Sequence, residues 1–338
     1  MNKRINRTIR LLKNRAFLFT SKSDIFYLTG VELEGFWLLV EKEGAAAIAP
    51  KMLAGQLGKL LTGIEVLGGN DLIGLLAERL KKKGAQMLSV NGSALSHGLF
   101  SKLNRKIKVK DEGGVLTGLR LIKDPGELQA LRKSCKIAVS ALRYVKRFIK
   151  PGVSEEQIAF KIESYFLDNH VRPSFPLIVA SGLNSSNPHH LSSSRKIKPN
   201  DVILIDMGCV YKGYCSDLTR TFFLGKTNGL QKTVYLAVKQ AHAAAMAMVR
   251  PGARADLVDK AARDVIEKAG FGGKFIHSTG HGVGIDIHES PRLSEKDKTV
   301  LKPGMAVTVE PGVYLEGDFG VRIEDTVVVT TKGREVLT

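Results

Sequence analysis

The sequence has few cysteines and no long apolar run. Its three cysteines, Cys135, Cys209 and Cys215, are too few, and odd in number, for the disulfide framework of a small secreted protein. They are typical of a reducing compartment, so we expect a cytoplasmic protein. No uninterrupted apolar run reaches the ~18 residues of a membrane helix. We therefore expect no membrane span and no membrane partner.

The N-terminal segment MNKRINRTIRLLKNR lacks the apolar block that a secretory signal requires. It carries several basic residues and no acidic one. Ile5, Ile9 and Leu12 recur at helical spacing, which predicts a short amphipathic helix at the start of the chain. An organelle transit peptide is the alternative interpretation of the same charge pattern.

Acidic residues are outnumbered by basic ones, 33 to 51, which gives a formal net charge of +18. Such an excess can indicate nucleic acid or an anionic surface as a partner. The lysines and arginines are spread along the chain, however, with only short runs such as Lys81–Lys83. No recognisable nucleic-acid motif accompanies them. We therefore expect a generally lysine-rich surface and no nucleic-acid partner.

The length of 338 residues predicts two domains, at roughly 100–200 residues per domain. Residues 1–120 alternate strand-like segments (FLFT, FWLLV and AAAIAP) with a helical pattern around Leu72–Lys83, which predicts a small α/β domain. We expect the boundary near Leu121–Pro125. There, Asp124-Pro125-Gly126-Glu127 has the N-cap, first-turn proline and third-position glutamate of a helix start. Residues 121–338 then form the second domain.

The second domain contains an internal repeat with a period of about 100 residues. The matched segments are Lys150-Pro151-Gly152 with Arg250-Pro251-Gly252, and Lys198-Pro199-Asn200 with Lys302-Pro303-Gly304. The first pair precedes predicted helices and the second pair precedes predicted strands. An acid, Asp206 or Glu310, follows each proline of the second pair after seven residues. This pattern predicts a pseudo-twofold domain with its site between the halves; chance similarity among turn residues is the alternative.

Four acidic residues interrupt apolar, strand-like sequence in this domain. They are Asp206, Asp217, Glu310 and Glu324. Burying one acid is costly unless it is paired or bound to metal, and four need a collective explanation. Two divalent ions would balance four carboxylates, with a neutral histidine as fifth ligand. These ligands suit manganese, cobalt, iron or zinc, and a bridging water would deprotonate readily to a nucleophilic hydroxide.

Histidines cluster in loops rich in glycine or proline. HSTGHGVGIDIHESP holds His277, His281 and His288, and ASGLNSSNPHH ends in His189-His190. Interspersed glycines argue against a regular helix and for a backbone that closely approaches another group. One imidazole can bind metal while others donate to a developing oxyanion. Since only His97 of the eight histidines precedes residue 121, we expect the site in the second domain.

These motifs resemble the pita-bread metallopeptidases, namely methionine aminopeptidase, prolidase, aminopeptidase P and their creatinase relatives. The matching segments are PSFPLIVASGLNSSNPHH, IDMGCVYKGYCSDLTRTF, HSTGHGVGIDIH, TVEPGVY and GVRIEDT. The resemblance implies an α/β creatinase/prolidase-like domain over residues 1–120. It also implies an α+β catalytic domain of the pseudo-twofold pita-bread type over residues 121–338, in a homodimer.

The resemblance also implies roles for individual residues. The implied metal ligands are Asp206, Asp217, His281, Glu310 and Glu324. Asp206 would chelate one ion, His281 and Glu310 the other, and Asp217 and Glu324 both. The implied catalytic residues are His189, His277, His288, Glu310 and Arg322, with Glu310 as proton shuttle and His288 stabilising the tetrahedral intermediate. The implied substrate contacts are His189, His288, Tyr314 and Arg322.

Several features resemble the proline-specific branch of this family: His277, RLIKDPGEL, the PHH loop and the N-terminal domain. The Xaa–Pro bond is a tertiary amide without an N–H, so a site that requires this donor rejects it. The branch implies an Xaa-Pro dipeptidase or aminopeptidase that uses a metal-bridging hydroxide. It implies two divalent ions, manganese first and cobalt, zinc or iron as alternatives.

Two other functions are compatible with the sequence, and one residue departs from the family pattern. A methionine-type or other aminopeptidase would share the fold, and a non-catalytic basic binding protein could reuse it. The intact ligand set argues against the binding protein and against a creatinase-type enzyme that has lost the ligands. His190 stands where relatives commonly have glycine, alanine or tyrosine, which would alter the rim of the substrate pocket.

Overall fold

The computed structural model describes residues 2–13 and 15–338, and the chain forms two compact units that divide between Arg120 and Leu121. Met1 and Asn14, which belong to the basic N-terminal segment, lie outside the described residues. Each unit is built around its own sheet system.

The first unit is an α/β domain. Its helices are α1 (Lys3–Leu12), α2 (Lys22–Thr29), α3 (Lys51–Leu60), α4 (Leu72–Lys82), α5 (His97–Lys106) and, at the boundary, α6 (Thr117–Leu121). Its strands are β1 (Ala16–Phe19), β2 (Trp37–Glu41), β3 (Gly44–Pro50), β4 (Glu65–Gly69), β5 (Leu88–Val90) and β6 (Val109–Asp111). They form a mixed sheet in the order β4-β3-β2-β1-β5-β6.

The hydrophobic pattern of the sequence predicts five of these twelve elements. The apolar segments around FLFT, FWLLV and AAAIAP form β1, β2 and β3, so those predictions are confirmed. The predicted amphipathic helix is α1, which buries Ile5 and Leu12. The helix predicted around residue 72 is α4, whose Leu76 and Leu80 pack in a core with Leu39 of the sheet.

The second unit combines long helices with short antiparallel strands. Its helices are α7 (Pro125–Val145), α8 (Glu155–Asp168), α9 (Gly229–Met248) and α10 (Ala255–Lys268). Its strands are β7 (Arg172–Pro173), β8 (Ile178–Ser181), β9 (Val202–Met207), β10 (Cys209–Tyr211), β11 (Tyr214–Cys215), β12 (Leu218–Phe223), β13 (Gly280–Gly282), β14 (Glu289–Leu293), β15 (Ala306–Val309), β16 (Gly312–Leu315), β17 (Phe319–Arg322), β18 (Asp325–Val329) and β19 (Arg334–Val336). Among residues 2–13 and 15–338, no helix has the length and apolarity required to cross a membrane.

Helix starts in the second unit follow the predicted capping pattern. Asp124 caps α7, accepting from the backbone of Glu127 while the Glu127 side chain accepts from the backbone of Asp124. Ser154 and Gln157 form the same reciprocal pair at α8. Each pair satisfies donors that the first turn of a helix leaves without an intrahelical partner.

The second unit has a pseudo-twofold arrangement that matches the internal repeat. In the first half, α7 and α8 pack on the sheet β12-β9-β8; in the second half, α9 and α10 pack on β14-β13-β15-β18-β19. The N–H of Gly152 donates to the carbonyl of Ile197 at 2.9 Å, and the N–H of Gly252 donates to Leu301 at 2.9 Å. The repeated turns therefore join helix to sheet in the same way in both halves.

Candidate active site

The four acids flank the two sheets, and three of them lie at strand ends. Asp206 lies within β9, as predicted. Asp217 and Glu324 directly precede β12 and β18, and Glu310 directly follows β15. The prediction that all four lie inside strands is therefore wrong for three. Within a strand, side chains alternate between faces, so leaving the ladder frees these acids to point at one site.

Three of the predicted ligands converge. One ligand atom each from Asp217, His281 and Glu324 lies within 4.8 Å of the others, and all three side chains are buried. His281 Nδ1 lies 3.0 Å from the Gly282 carbonyl, which can only accept, so Nδ1 carries the proton. Nε2 lies 3.2 Å from Glu310 Oε1 and 3.6 Å from Asp217 Oδ2.

Asp206 lies beside this group and is held by a buried arginine. Arg322 donates from Nη2 to Asp206 Oδ2 at 2.6 Å. The other oxygen, Oδ1, is buried and has no hydrogen-bond partner among the described residues. A buried carboxylate oxygen without a donor is costly, so this atom requires a ligand that supplies positive charge.

Burial and mutual repulsion raise the pKa values of two of the acids, Asp217 and Glu324. Burial, followed by the charges of Glu324, Asp206 and Glu310, raises the pKa of Asp217 well above its usual range. Burial and the charges of Glu310 and Asp206 likewise raise the pKa of Glu324. Burial opposes the ionisation of Glu310, but the hydrogen bond and charge of His281 lower its pKa.

This arrangement fits divalent cations. A proton on His281 Nε2 can bridge to Glu310 Oε1, and a divalent cation can take the place of this proton. The bare oxygen of Asp206 also requires positive charge. Carboxylate oxygens with one imidazole form a donor set that suits manganese, iron, cobalt or zinc. The Nδ1–carbonyl hydrogen bond of His281 is the kind of outer contact that fixes the tautomer of a metal-binding histidine.

A buried hydrogen-bonded chain links Asp206 to His277. Arg322 donates from Nη1 to the Tyr314 hydroxyl at 2.6 Å, and this hydroxyl lies 2.9 Å from His277 Nε2. His277 Nδ1 lies 2.8 Å from the Ser278 carbonyl, so Nε2 is the acceptor and Tyr314 is the donor. Burial lowers the pKa of His277, and burial raises that of Tyr314 to about 12. The neutral forms of both groups are therefore favoured.

The glycines around His281 permit close backbone contact, as the sequence predicts. A Cβ on Gly280 would overlap the carbonyl oxygen of Thr308, and one on Gly282 would overlap that of Ser290. Gly282 also lies at a register shift between β13 and β14. These positions bring His281 against β15, the strand that leads into Glu310.

The remaining predicted histidines lie in different surroundings. The ring of His288 is exposed and lies edge-on to His281, with ring centroids 4.4 Å apart. His189 is also exposed, and its charge is among those that lower the pKa of His288, after burial and His281. His190 instead turns inward, with Nε2 2.7 Å from Glu155 Oε2. Its ring is held by a buried carboxylate, and its effect on the pocket rim stays a prediction.

The two cysteines between Asp206 and Asp217 are buried, and their thiols face backbone carbonyls. Cys215 Sγ lies 3.3 Å from the Ile285 carbonyl, and Cys209 Sγ lies 3.4 Å from that of Ser134. Burial raises the pKa of Cys215 to about 12. Neither thiol belongs to the converging ligand group, which agrees with their interpretation as small buried residues.

Three supporting residues were not identified from the sequence. Thr219 donates to Glu324 at 2.7 Å and accepts from Arg322 at 3.1 Å. Asp259 accepts from the backbone N–H and hydroxyl of Thr279, two residues before His281. Glu155 holds the loop that carries His189. Thr219 lies only two residues from Asp217, but Asp259 and Glu155 occupy ordinary helical positions, so no local pattern distinguishes them.

Comparison with known proteins agrees with this geometry. Residues 129–331 match the model of metallopeptidase family M24, and residues 3–122 match the creatinase/prolidase N-terminal domain. The predicted fold class, a creatinase-like domain followed by a pita-bread domain, is therefore confirmed.

Similar proteins cover the whole chain. It is 34% identical to an Xaa-Pro dipeptidase of Pyrococcus horikoshii, covering 100% of this chain and 97% of that protein. The structure of an Xaa-Pro dipeptidase from Bacillus anthracis is 35% identical, with a TM-score of 0.94 over 99% of this chain and 96% of that one. An X-Pro aminopeptidase from Thermotoga maritima is 29% identical, with a TM-score of 0.92 over 99% and 97%. The chain is therefore a peptidase of metallopeptidase family M24.

Proposed function

We propose that the protein is a dinuclear-metal hydrolase that cleaves Xaa-Pro peptide bonds. The observation that carries this proposal is the convergence of Asp217, His281 and Glu324 within 4.8 Å, beside Glu310 and the bare oxygen of Asp206. Three buried carboxylates and the half-buried Glu310 lie near one another, with Arg322 as a buried cation among them, and leave excess negative charge. Two divalent ions would neutralise this excess.

The proposed metal ligands are the five residues that the family resemblance implies. They are Asp206, Asp217, His281, Glu310 and Glu324. When bound, divalent ions supply Lewis-acid polarisation of the scissile carbonyl and lower the pKa of water. Manganese is the first candidate, with cobalt, zinc and iron as alternatives, because oxygen ligands with one imidazole suit all four.

The protein's own residues would orient the peptide and move protons. The Glu310 carboxylate, close to His281 Nε2, is our candidate for carrying a proton to the leaving nitrogen. The exposed rings of His189 and His288 are available to donate to the scissile carbonyl as negative charge develops there. His277, Tyr314 and Arg322 would hold Asp206 and shape the wall of the site.

The Xaa-Pro preference is proposed from the relatives and from the chemistry of the bond. The Pyrococcus horikoshii and Bacillus anthracis proteins are named Xaa-Pro dipeptidases. A tertiary amide offers no N–H, so its recognition depends on the carbonyl side. His189 and His288 are donors on exposed loops near the ligand group, and such donors suit this requirement.

An aminopeptidase of the same fold is the second candidate, because the similar protein of Thermotoga maritima is named an X-Pro aminopeptidase.

We also propose residues 121–338 as the catalytic domain, residues 1–120 as an accessory domain, a homodimeric assembly and a cytoplasmic location. Size-exclusion chromatography with light scattering tests the assembly by the mass of the particle.

A paired peptide assay tests the proposed function. Chelated protein is supplied with manganese, cobalt, zinc or iron and given Ala-Pro, Ala-Pro-Ala or the matched peptide Ala-Ala. We expect metal-dependent hydrolysis of at least one proline peptide and slower hydrolysis of Ala-Ala. Preference for Ala-Pro indicates a dipeptidase, and preference for Ala-Pro-Ala indicates an aminopeptidase. Hydrolysis of Ala-Ala as fast as that of the preferred proline peptide would contradict the specificity.

A further inference from the structure

A buried carboxylate outside the ligand group holds the loop that carries His189. We call residues 181–193 the histidine loop. Glu155, the first residue of α8, is fully buried, and its Oε1 accepts from the backbone N–H and the hydroxyl of Ser181, both at 2.7 Å. These bonds fix the start of the histidine loop at the end of β8.

The second oxygen of Glu155 fixes the other end of the loop. Oε2 accepts from the backbone N–H of Ser193 at 3.1 Å and from its hydroxyl at 2.6 Å. It also lies 2.7 Å from His190 Nε2. The amide of Asn184, in the middle of the loop, donates to both oxygens at 3.0 and 3.2 Å. One carboxylate therefore contacts the beginning, middle and end of the loop.

The chemistry of these contacts requires the ionised carboxylate. The partners of Glu155 in the histidine loop act as donors, and a carboxylate is a side chain that only accepts. Burial opposes its ionisation, but the hydrogen bonds from Ser193, Ser181, His190 and Asn184 lower its pKa. A glutamine at this position has the same shape, but its NH₂ group would face donors instead of accepting from them.

These contacts determine where His189 lies. His189 is adjacent to His190, which Glu155 holds, and its backbone N–H donates to Asn187 Oδ1 at 3.1 Å. The ring of His189 is exposed and electrostatically coupled to His288. The contacts of Glu155 with Asn184 and His190 thus fall on both sides of His189 along the chain, while Glu155 itself is fully buried.

We propose that Glu155 is a positioning residue for His189, with the His190 ring as its contact nearest to His189. This role rests on the proposed function, in which His189 donates to the scissile peptide. The His190 ring serves as an inward donor to this buried acid. Glu155 would act on catalysis through the loop and not on the ligands.

The test compares Glu155→Gln with Glu156→Gln. Both variants remove one negative charge from the first turn of α8, but Glu156 is partly exposed and its side chain is absent from the hydrogen bonds described for the histidine loop. We expect Glu155→Gln to lower kcat/KM for Ala-Pro roughly 10- to 100-fold, because small misplacements of a catalytic group have effects of this size. Manganese content should stay equal to wild type, and hydrogen exchange should rise in residues 181–193.

A double-mutant cycle distinguishes positioning from a general loss of stability. If Glu155 acts through His189, then Glu155→Gln should cause little further loss of kcat/KM in a His189→Ala background. His190→Ala, which removes one donor at a partly accessible position, serves as a second variant if Glu155→Gln fails to fold. It should show a smaller loss that is also abolished by His189→Ala.

The outcomes separate this proposal from the proposed function. If wild type is active and Glu155→Gln has the same kcat/KM and the same hydrogen exchange in residues 181–193, the positioning role alone is overturned. Fully additive losses with His189→Ala, in both Glu155→Gln and His190→Ala, would do the same. A metal-loaded wild type that hydrolyses neither Ala-Pro nor Ala-Pro-Ala would overturn the proposed function, and the positioning role with it.

Discussion

Glu324 lies at the centre of the carboxylate group and is almost fully buried. Thr219 donates to its Oε2 at 2.7 Å, and Asp217 and His281 complete the converging set. We predict that Glu324→Gln loses most of its bound metal and that kcat falls roughly 100-fold or more, since outer partners of ligands alone change activity 10- to 100-fold. Metal analysis after dialysis and a peptide assay measure both effects.

Glu316→Gln is the matched control, because Glu316 is exposed on the hairpin between β16 and β17. It should retain the metal content and turnover of wild type. Two bound ions and normal turnover in Glu324→Gln would contradict the ligand assignment.

His277 and Tyr314 form the outer part of the chain that leads to Asp206. We predict that His277→Ala lowers turnover about tenfold while metal stays bound, because Tyr314 and Arg322 lie between His277 and the ligand Asp206 in this chain. Tyr314→Phe should have a similar effect, and the double variant should lose little more. Loss of metal from His277→Ala would show that His277, and not His281, is the ligand.

Part of the site could be predicted at the level of single residues. Asp206 and Glu310 stand out because a charged group in an apolar run is unusual, and the glycines around His281 indicate close backbone approach. Thr219 and Glu155 could not be predicted in the same way. The partners of Thr219 lie 103 and 105 residues away, and the loop contacts of Glu155 lie 26 to 38 residues away, so only the fold brings them together.

At the level of elements, Lys123 explains why the RLIKDPGEL segment matters. Its ammonium group is buried and lies 3.0 Å from Glu289 Oε2, and Glu289 Oε1 accepts from the backbone N–H groups of Ile285 and Asp286. This ion pair joins the segment before α7 to the loop that carries His288. We predict that Lys123→Met destabilises the protein by about 3 kcal/mol, since breaking a buried pair typically costs about 3–5 kcal/mol.

Urea unfolding measures this loss, and Lys133→Met is the control because Lys133 is exposed on α7. The control should unfold within about 0.5 kcal/mol of wild type. Adding Glu289→Gln to Lys123→Met should recover part of the lost stability, because the buried charge is then removed. An unchanged unfolding midpoint in Lys123→Met would refute the structural role of the pair.

Helix starts and strands of this chain are largely predictable, but their pairing is not. Local rules identify the capping boxes at Asp124 and Ser154, because their partners lie three residues away. The position of the acids at strand ends depends on register. For example, β15 pairs with β18 through Thr308 and Thr326, which leaves Glu310 and Glu324 beyond the ladder. The apolar sequence continues beyond these strand ends, so the hydrophobic pattern alone does not predict where each strand stops.

At the scale of the whole molecule, the internal repeat is the most informative sequence feature. It predicts two similar halves, and the equivalent turns at Gly152 and Gly252 make equivalent bonds. The halves differ in detail. Glu155 begins α8 and accepts hydrogen bonds from the histidine loop, whereas Asp259 lies one turn inside α10 and accepts hydrogen bonds from Thr279. The repeat therefore predicts equivalent backbone turns in the two halves, but it does not predict the side-chain hydrogen bonds, which differ between the halves.

Metal loading should stabilise the folded second unit. Ions that bind only the native state add about 2.7 kcal/mol at a free concentration 100-fold above Kd for one site. We predict that manganese raises the thermal midpoint of chelated wild type and has a much smaller effect on Glu324→Gln. Differential scanning fluorimetry over a manganese series measures this shift, and equal shifts in both proteins would place the stabilising ions elsewhere.

The most direct test is a titration of chelated protein with manganese while Ala-Pro or Ala-Pro-Ala hydrolysis is followed. A site formed by Asp206, Asp217, His281, Glu310 and Glu324 predicts that turnover rises with bound metal and reaches its maximum at two ions per chain. Hydrolysis that persists without metal, or no hydrolysis with two ions bound, would contradict a dinuclear Xaa-Pro peptidase.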